Sequence, residues 1–210
     1  MAPHAPSVHA AKALYRHRAA AYDRELAPFE PLRQRALDWL AVQPGDTVLD
    51  IGCGTGLSLP RLCEAAGPQG RVVGIEPCAD MLAQARARLA PAAWPTLTLL
   101  HGSLLEVALP SQADRALFHF THDVLQQPEA LDRVIGALRP GATVVACGLC
   151  WADWWMVGLN CWVGSAALYS VTTLDGLHAP WAGLAAHLDG LEVERAWLGA
   201  VYLARGRVPG

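Results

Sequence analysis

Apolar positions fall into short runs separated by longer stretches of helical spacing. The runs at Thr47 to Ile51, Arg71 to Glu76, Leu97 to His101, Arg115 to Phe120 and Ala142 to Cys147 predict five strands. Helical patterns cover Val8 to Ala27 and Pro31 to Ala41, with Pro28 and Pro31 marking the break between them. Further helices are predicted from the first glycine turn through Ala66, over Asp80 to Leu89 and over Glu129 to Leu138. Pro180 to Leu188 reads as a short helix, and Leu191 to Trp197 with Ala200 to Ala204 as a hairpin around Gly199. Strands that alternate with helices argue for a parallel sheet covered on both faces. The closing hairpin must be antiparallel.

The segment Val144 to Tyr169 is apolar except for Asp153, Asn160 and a few small residues, long enough to suggest a membrane span. Its first part is used by the fifth strand, however, and the remaining Trp154 to Tyr169 makes a helix too short to cross. At 210 residues, with 53% apolar and 17% charged positions, the chain suits one compact domain with a large core. The net charge of -3 and the lack of a basic stripe argue against a nucleic-acid substrate. Met1 to Ala13 lacks the apolar stretch of a secretory signal, so the six cysteines are expected as reduced thiols in the cytoplasm.

The most specific stretch is Val48-Leu49-Asp50-Ile51-Gly52-Cys53-Gly54-Thr55-Gly56, a strand running through three glycines into a helix. The glycines admit positive φ and leave no Cβ where a ligand must approach. A dinucleotide fingerprint needs glycine or alanine at its sixth position, and here that position is Leu57. No Gly-Lys-Ser/Thr follows, so the turn is not a P-loop. A carboxylate just before the turn would repel a pyrophosphate but suits a ligand with an ammonium group. Leu49-Asp50-Ile51-Gly52-Cys53-Gly54-Thr55-Gly56 resembles the first motif of the class I (Rossmann-like) S-adenosylmethionine-dependent methyltransferases. Glu76, at the end of the second strand and about 20 residues beyond the turn, stands where an acid accepts ribose hydroxyls.

That resemblance covers Tyr15 to Gly206 and implies a doubly wound, mostly parallel seven-stranded α/β sheet with an antiparallel last strand and helices on both faces. It implies one methyltransferase domain over 1–210, with residues 1–43 as a helical lid and 151–189 as a substrate-side insertion. S-adenosyl-L-methionine is the implied cofactor. Asp50, Gly52, Gly54 and Glu76 are expected to hold it, with Met81 packing on the adenine and Ser103 and Leu104 contacting the base. Tyr22, in a Tyr22-Asp23 element, is expected at the cofactor's amino-acid end, and Tyr15 at the substrate mouth. The same two tyrosines also fit one stripe of an amphipathic helix.

Methyl transfer from a sulfonium needs alignment and exclusion of water more than a catalytic triad. A base is needed only when the nucleophile arrives protonated. Thr121 and His122, just past the fourth strand, are the catalytic candidates. Asp123 is placed to orient His122 or to cap the next turn. His122 alternatively bonds a backbone carbonyl. No metal site is expected: a magnesium site would need further acids nearby, and His119 with His122 straddles a strand end. Cys147 and Cys150 have redox spacing without a thioredoxin-like turn.

Trp151, Trp154, Trp155 and Trp162 are half of the chain's eight tryptophans and suit an apolar or aromatic acceptor, a homodimer interface or a membrane-surface contact. The expected function is methyl transfer to a small molecule. Its alternatives are methylation of a lipid head group or quinone, and a non-catalytic S-adenosylmethionine-binding protein. A nicotinamide oxidoreductase is opposed by Leu57.

Overall fold

The structure is a computed structural model that describes residues 22–89, 94–168 and 171–210, with Tyr22 by its backbone only. Tyr15 and the start of the first predicted helix lie outside the described residues. Helix α1 (Tyr22–Leu26) tightens through a 3-10 turn (Ala27–Phe29) into α2 (Glu30–Leu40). Each of Pro28 and Pro31 falls at the first or second position of its helical segment, where a missing N–H costs no bond. The predicted break is therefore a change of helical pitch.

The chain continues as β1 (Thr47–Ile51), α3 (Leu59–Ala66), β2 (Arg71–Glu76), α4 (Ala79–Arg88), β3 (Leu97–His101) and β4 (Ala113–His119). It proceeds through α5 (His122–Leu125), α6 (Pro128–Ala137), β5 (Leu138–Leu149), α7 (Val157–Leu168) and α8 (Ala182–Ala185). It closes with β6 (Asp189–Ala196) and β7 (Val201–Arg207). The seven strands form one sheet in the order β3-β2-β1-β4-β5-β7-β6. β1 to β5 pair in parallel, and β7 lies antiparallel between β5 and β6. The expected α/β class, strand count and antiparallel last strand are all present.

Several boundaries differ from the sequence reading, β4, α8, β6 and β7 by a few residues each, and two for plain physical reasons. β5 begins at Leu138, because the stretch through Gly141, between the predicted helix and the predicted strand, is a bulge inside the strand. The pairing jumps from Ala113–Leu138 to Arg115–Thr143, and Gly141 takes φ 76°. Helix α7 begins at Val157, so Trp154 and Trp155 precede it. Among the described residues no helix is long and apolar enough to cross a membrane.

Alternation along the strands sends successive side chains to opposite faces. Val48, Val72, Leu117 and Val145 pack with Leu37 and Leu40 of α2, Leu62 of α3 and Val163 of α7. Leu49, Ile51, Val73 and Phe118 pack on the other face with Leu131 and Val134 of α6 and Leu184 of α8. The strand order reverses between β1 and β4, which opens a crevice at their carboxyl ends.

Leu40 is fully buried where α2 covers the sheet. Leu40→Ala should cost about 2–5 kcal/mol in urea unfolding, whereas Leu198→Ala at an exposed loop should change stability by less than about 0.5 kcal/mol.

Candidate active site

Past β1 the chain turns through Gly52, Gly54 and Gly56, with φ of 66°, 56° and 80°. L-residues with side chains rarely adopt that region. A Cβ on Gly52 would also stand 2.5 Å from Thr121 Cγ2, so the position demands glycine twice over. The turn is tied to β2 by Glu76. Its Oε2 accepts from the Gly54 amide at 3.0 Å and its Oε1 from the Cys78 amide at 2.7 Å.

Asp23 of α1 straps the N-terminal side across the same turn. Thr55 Oγ1 donates to Asp23 at 2.6 Å, Arg88 pairs with Asp23, and Arg88 Nε donates to the Thr55 carbonyl at 3.0 Å. Sequence reasoning did not single out Asp23, Thr55 or Arg88 for this clasp, whose members lie far apart along the chain.

Three cavities follow the carboxyl ends of the strands. One of about 320 Å³ lies between Leu26, the glycine turn, Asp50 and His119. A second of about 410 Å³ begins at Gly52 and is walled by Ile75, Pro77, Ser103, Leu104, Val124 and Gln127. The third, about 330 Å³, lies past β4 among Phe120, His122, Gly148, Ala167, Leu177 and Tyr202. Among the described residues no lysine or arginine lines any of them, which suits a ligand without phosphate.

Buried polar atoms concentrate here. Among the described residues, Arg33 Nη1, Asp50 Oδ2, His119 Nε2, Thr121 Oγ1 and His122 Nδ1 are buried without a hydrogen-bond partner. A buried polar group left unpaired costs stability, so a cluster of them marks a place where a ligand's groups complete the pairing. Asp50 is only 2% exposed; burial, and then the nearby Glu76 carboxylate, push its acid up to about 7 while Arg33 opposes the rise. Burial and the Arg33 charge hold His119 down to about 3, so its imidazole is neutral. Arg33 and His119 were not proposed from the sequence as ligands. The sequence offered no signal for Arg33, because an arginine inside an amphipathic helix reads as a solvated face.

The β4 exit is strained. Phe120 has φ 56°, a conformation rare for an aromatic residue and frequent at functional sites. Its amide donates to the Cys147 carbonyl at 2.9 Å. His122 Nε2 lies 2.8 Å from the Asp175 carbonyl, an acceptor only, so Nε2 carries the ring proton. Burial lowers the His122 pKa, and Nδ1 is left as a buried lone pair. Asp123 makes its hydrogen bonds elsewhere, accepting from the Thr172 amide at 3.1 Å and the Thr172 hydroxyl at 2.9 Å. It acts on His122 through charge alone.

At the far end Ser103 and Leu104 line the second cavity, but the Ser103 hydroxyl donates to Glu106 Oε2 at 2.8 Å and its amide to the same oxygen at 3.0 Å. Glu106 thus brings a carboxylate to the loop past β3. Met81 is fully buried and is not part of that cavity's wall. The backbone at Tyr22 opens α1, and its side chain lies outside the described residues.

Helix α7 walls the third cavity through Ala167, and none of the four clustered tryptophans does. Trp154 and Trp155 are 84% and 61% exposed and meet edge to face at 6.0 Å. Trp162 and Trp197 stack on Phe29 at 6.2 and 5.0 Å, and Phe29 meets Phe120 edge-on at 4.8 Å. An aromatic path therefore runs from the outer face to the cavity wall. Its member Trp197 comes from the final hairpin, which the helical pattern of the Trp-rich segment did not reveal.

Comparison with known proteins agrees with this geometry. Residues 48–141 match the family described as a methyltransferase domain. The chain is 36% identical over 111 residues to a 2-phytyl-1,4-naphtoquinone methyltransferase of Thermosynechococcus vestitus, covering 52% of this chain and 48% of that protein. It is 37% identical over 124 residues to a trans-aconitate 2-methyltransferase of Rhodopseudomonas palustris, covering 55% of this chain and 45% of that protein. The chain thus spans about half the length of these curated relatives. The N-methyltransferase NodS of Bradyrhizobium japonicum, solved with S-adenosyl-L-homocysteine, superposes with a TM-score of 0.65 at 18% identity, covering 89% of this chain and 91% of that one. That likeness is one of fold. The matched domain, the glycine turn and the strand order agree on one likeness: residues 48–141 resemble a methyltransferase domain, carried on a Rossmann-like fold.

Proposed function

We propose that this protein transfers a methyl group from S-adenosylmethionine to a small, apolar or aromatic acceptor. The observation that carries this reading is the row of three cavities along the strand ends, with unpaired buried polar atoms at the first and third. S-adenosylmethionine, when bound, supplies a methyl group already activated by a sulfonium. The residues present suit it. Asp50 Oδ2 is an open acceptor for an ammonium, and Gly52 and Gly54 line the same cavity without side chains. Glu76 accepts the ribose hydroxyls while holding the turn amides, since a carboxylate oxygen accepts more than one bond. Ser103 and Leu104 flank the base, with Glu106 behind Ser103.

In the third cavity the walls are apolar apart from His122 and Tyr202, which suits an acceptor of similar character. His122 receives a proton or hydrogen bond at Nδ1, Thr121 stands at the junction with the glycine turn, and Asp123 positions the 172–175 segment. Six unpaired cysteines accord with a cytoplasmic setting.

A second reading, a lipid-like or quinone acceptor met at a membrane surface, is favoured by the exposed tryptophans. The helix Val157–Leu168 carries no charged residue, yet only Val163 and Ala167 of it are fully buried. Tryptophan is enriched where apolar and aqueous phases meet. A homodimer that buries the same face is the competing occupant.

Binding of S-adenosylhomocysteine, followed by calorimetry, tests the main reading. Glu76→Ala should weaken binding tenfold or more, from bonds worth about 1.5–3 kcal/mol each to a charged group. An ammonium favours ionised Asp50, whose acid stands at about 7 before binding. Affinity should therefore fall as pH drops below about 7, by at most about tenfold per unit, with one proton released on binding, and Asp50→Asn should abolish that dependence. Wild-type protein that binds NAD more tightly than S-adenosylhomocysteine sinks the proposal.

His122→Ala should reduce turnover of an identified acceptor at least tenfold, within the range a positioned acid or base contributes, while cofactor affinity stays within about threefold. Normal turnover in that variant ends the role for His122.

Neutral phospholipid vesicles test the second reading. Cosedimentation by wild type and its loss in Trp154→Ala/Trp155→Ala is the expected result. Absence of vesicle binding by a monomer rejects it, and a dimer that protects both rings makes the face a protein interface instead.

A further inference from the structure

The third cavity offers a ligand no charge. Among the described residues its wall is apolar except for His122, Cys147 and Tyr202. Burial keeps all three neutral, lowering the His122 pKa and raising those of the Cys147 thiol and the Tyr202 phenol. An acceptor with a carboxylate, phosphate or ammonium in this cavity would lose its water and meet no opposite charge.

His122 narrows the choice among neutral acceptors. The residue is 7% exposed, and its Nε2 must donate to the Asp175 carbonyl 2.8 Å away, which leaves Nδ1 as a bare lone pair. That nitrogen is buried without a partner among the described residues. The tautomer is held from outside the ring. Asp123 accepts from the Thr172 hydroxyl at 2.9 Å, and Gln126 packs so closely on Gly176 that a Cβ there would stand 2.2 Å from its Oε1. The Asp175 carbonyl between these two contacts is therefore fixed. Moving the ring proton to Nδ1 would set the Nε2 lone pair against it. A bare lone pair only accepts, so an ether or ketone would face it acceptor to acceptor, and an O–H answers it. Phe120 and Tyr202 supply rings to the same wall, and Tyr202 is backed by Trp181 at 5.1 Å, which suits an aromatic body.

We infer that the acceptor is an uncharged phenol, held by donation of its ring hydroxyl to Nδ1 of His122. This rests on the reading of the third cavity as the acceptor's place and narrows it from apolar or aromatic molecules to those with a hydrogen to give. His122 then determines specificity, because a site built to meet a hydroxyl rejects an analogue that lacks one.

Three small ligands of similar size separate the hydroxyl from the ring: p-cresol, p-methylanisole and p-toluate. They are titrated into histidine-labelled protein in the presence of S-adenosylhomocysteine and followed by nitrogen NMR. p-Cresol should bind at least tenfold more tightly than the other two and shift the His122 Nδ1 resonance, which they leave in place. His122→Phe should bring p-cresol down to the affinity of p-methylanisole and change p-methylanisole by less than threefold. The wild-type comparison stands even if that variant fails to fold. Equal affinity for p-methylanisole, as when a retained water serves Nδ1, or an unmoved His122 resonance overturns the inference and leaves the apolar-acceptor reading in place. Tighter binding of p-toluate, or no binding by any of the three, removes both, while the affinity for S-adenosylhomocysteine tests the cofactor reading separately.

Discussion

The buried bond from the Gly54 amide to the Glu76 carboxylate joins the glycine turn to the neighbouring strand. Asp50 stands beside Gly74 in the pairing of β1 with β2, and the turn folds back so closely that a Cβ on Gly74 would lie 2.9 Å from Cys53 Sγ. The three left-handed glycines turn the backbone back on itself, with the Gly56 amide donating to the Cys53 carbonyl at 2.9 Å. Glu76 accepts from the Gly54 amide and from the Cys78 amide as well. With the turn held, Thr55 is placed to take Asp23, and α1 comes to lie over the first cavity. The cost is electrostatic, since Glu76 and Asp50 are buried like charges. Arg33 offsets part of it from the opposite side.

The acceptor side is organised by two residues of the β4 exit. His122 and Asp123 hold the stretch Thr172 to Asp175 through a backbone carbonyl, an amide and a hydroxyl. That stretch joins Val171 and Leu177, both in the wall of the third cavity. The histidine bond to a backbone carbonyl and the open Nδ1 are compatible roles for one ring, because the first fixes the tautomer that the second requires. The same geometry explains why Asp123 is a positioning residue: its carboxylate is occupied by Thr172.

Most of the scaffold was legible along the chain. β1, β2 and β3 coincide with their apolar runs; β1 and β2, buried on both faces, read as continuous hydrophobic stretches, and the half-buried edge strand β3 is marked by its β-forming residues. The boundaries that moved did so where tertiary pairing outweighed local pattern, as in the bulge around Gly141. The strand-end acids and glycines were also legible, since their spacing follows from local turn geometry. The tryptophans were legible as a cluster but not as to direction. A helix as uniformly apolar as Val157–Leu168 has no polar stripe to say which side faces the sheet.

Local chemistry in the sequence therefore determined the α/β class, the glycine turn and the acids at its two strands. These depend on residues within one strand, one turn and one helix start, where backbone conformation is set by near neighbours. Tertiary structure alone decided that Arg33 is buried with its charge bearing on Asp50 and His119, that Asp23 clasps Thr55 and Arg88, and that Phe29 joins Trp162 and Trp197 to Phe120. Each of these brings together side chains from elements distant in sequence. Their meeting depends on helix packing angles and strand order, which hydrophobic spacing constrains only through the core face and leaves open for the charged and aromatic groups at its edge.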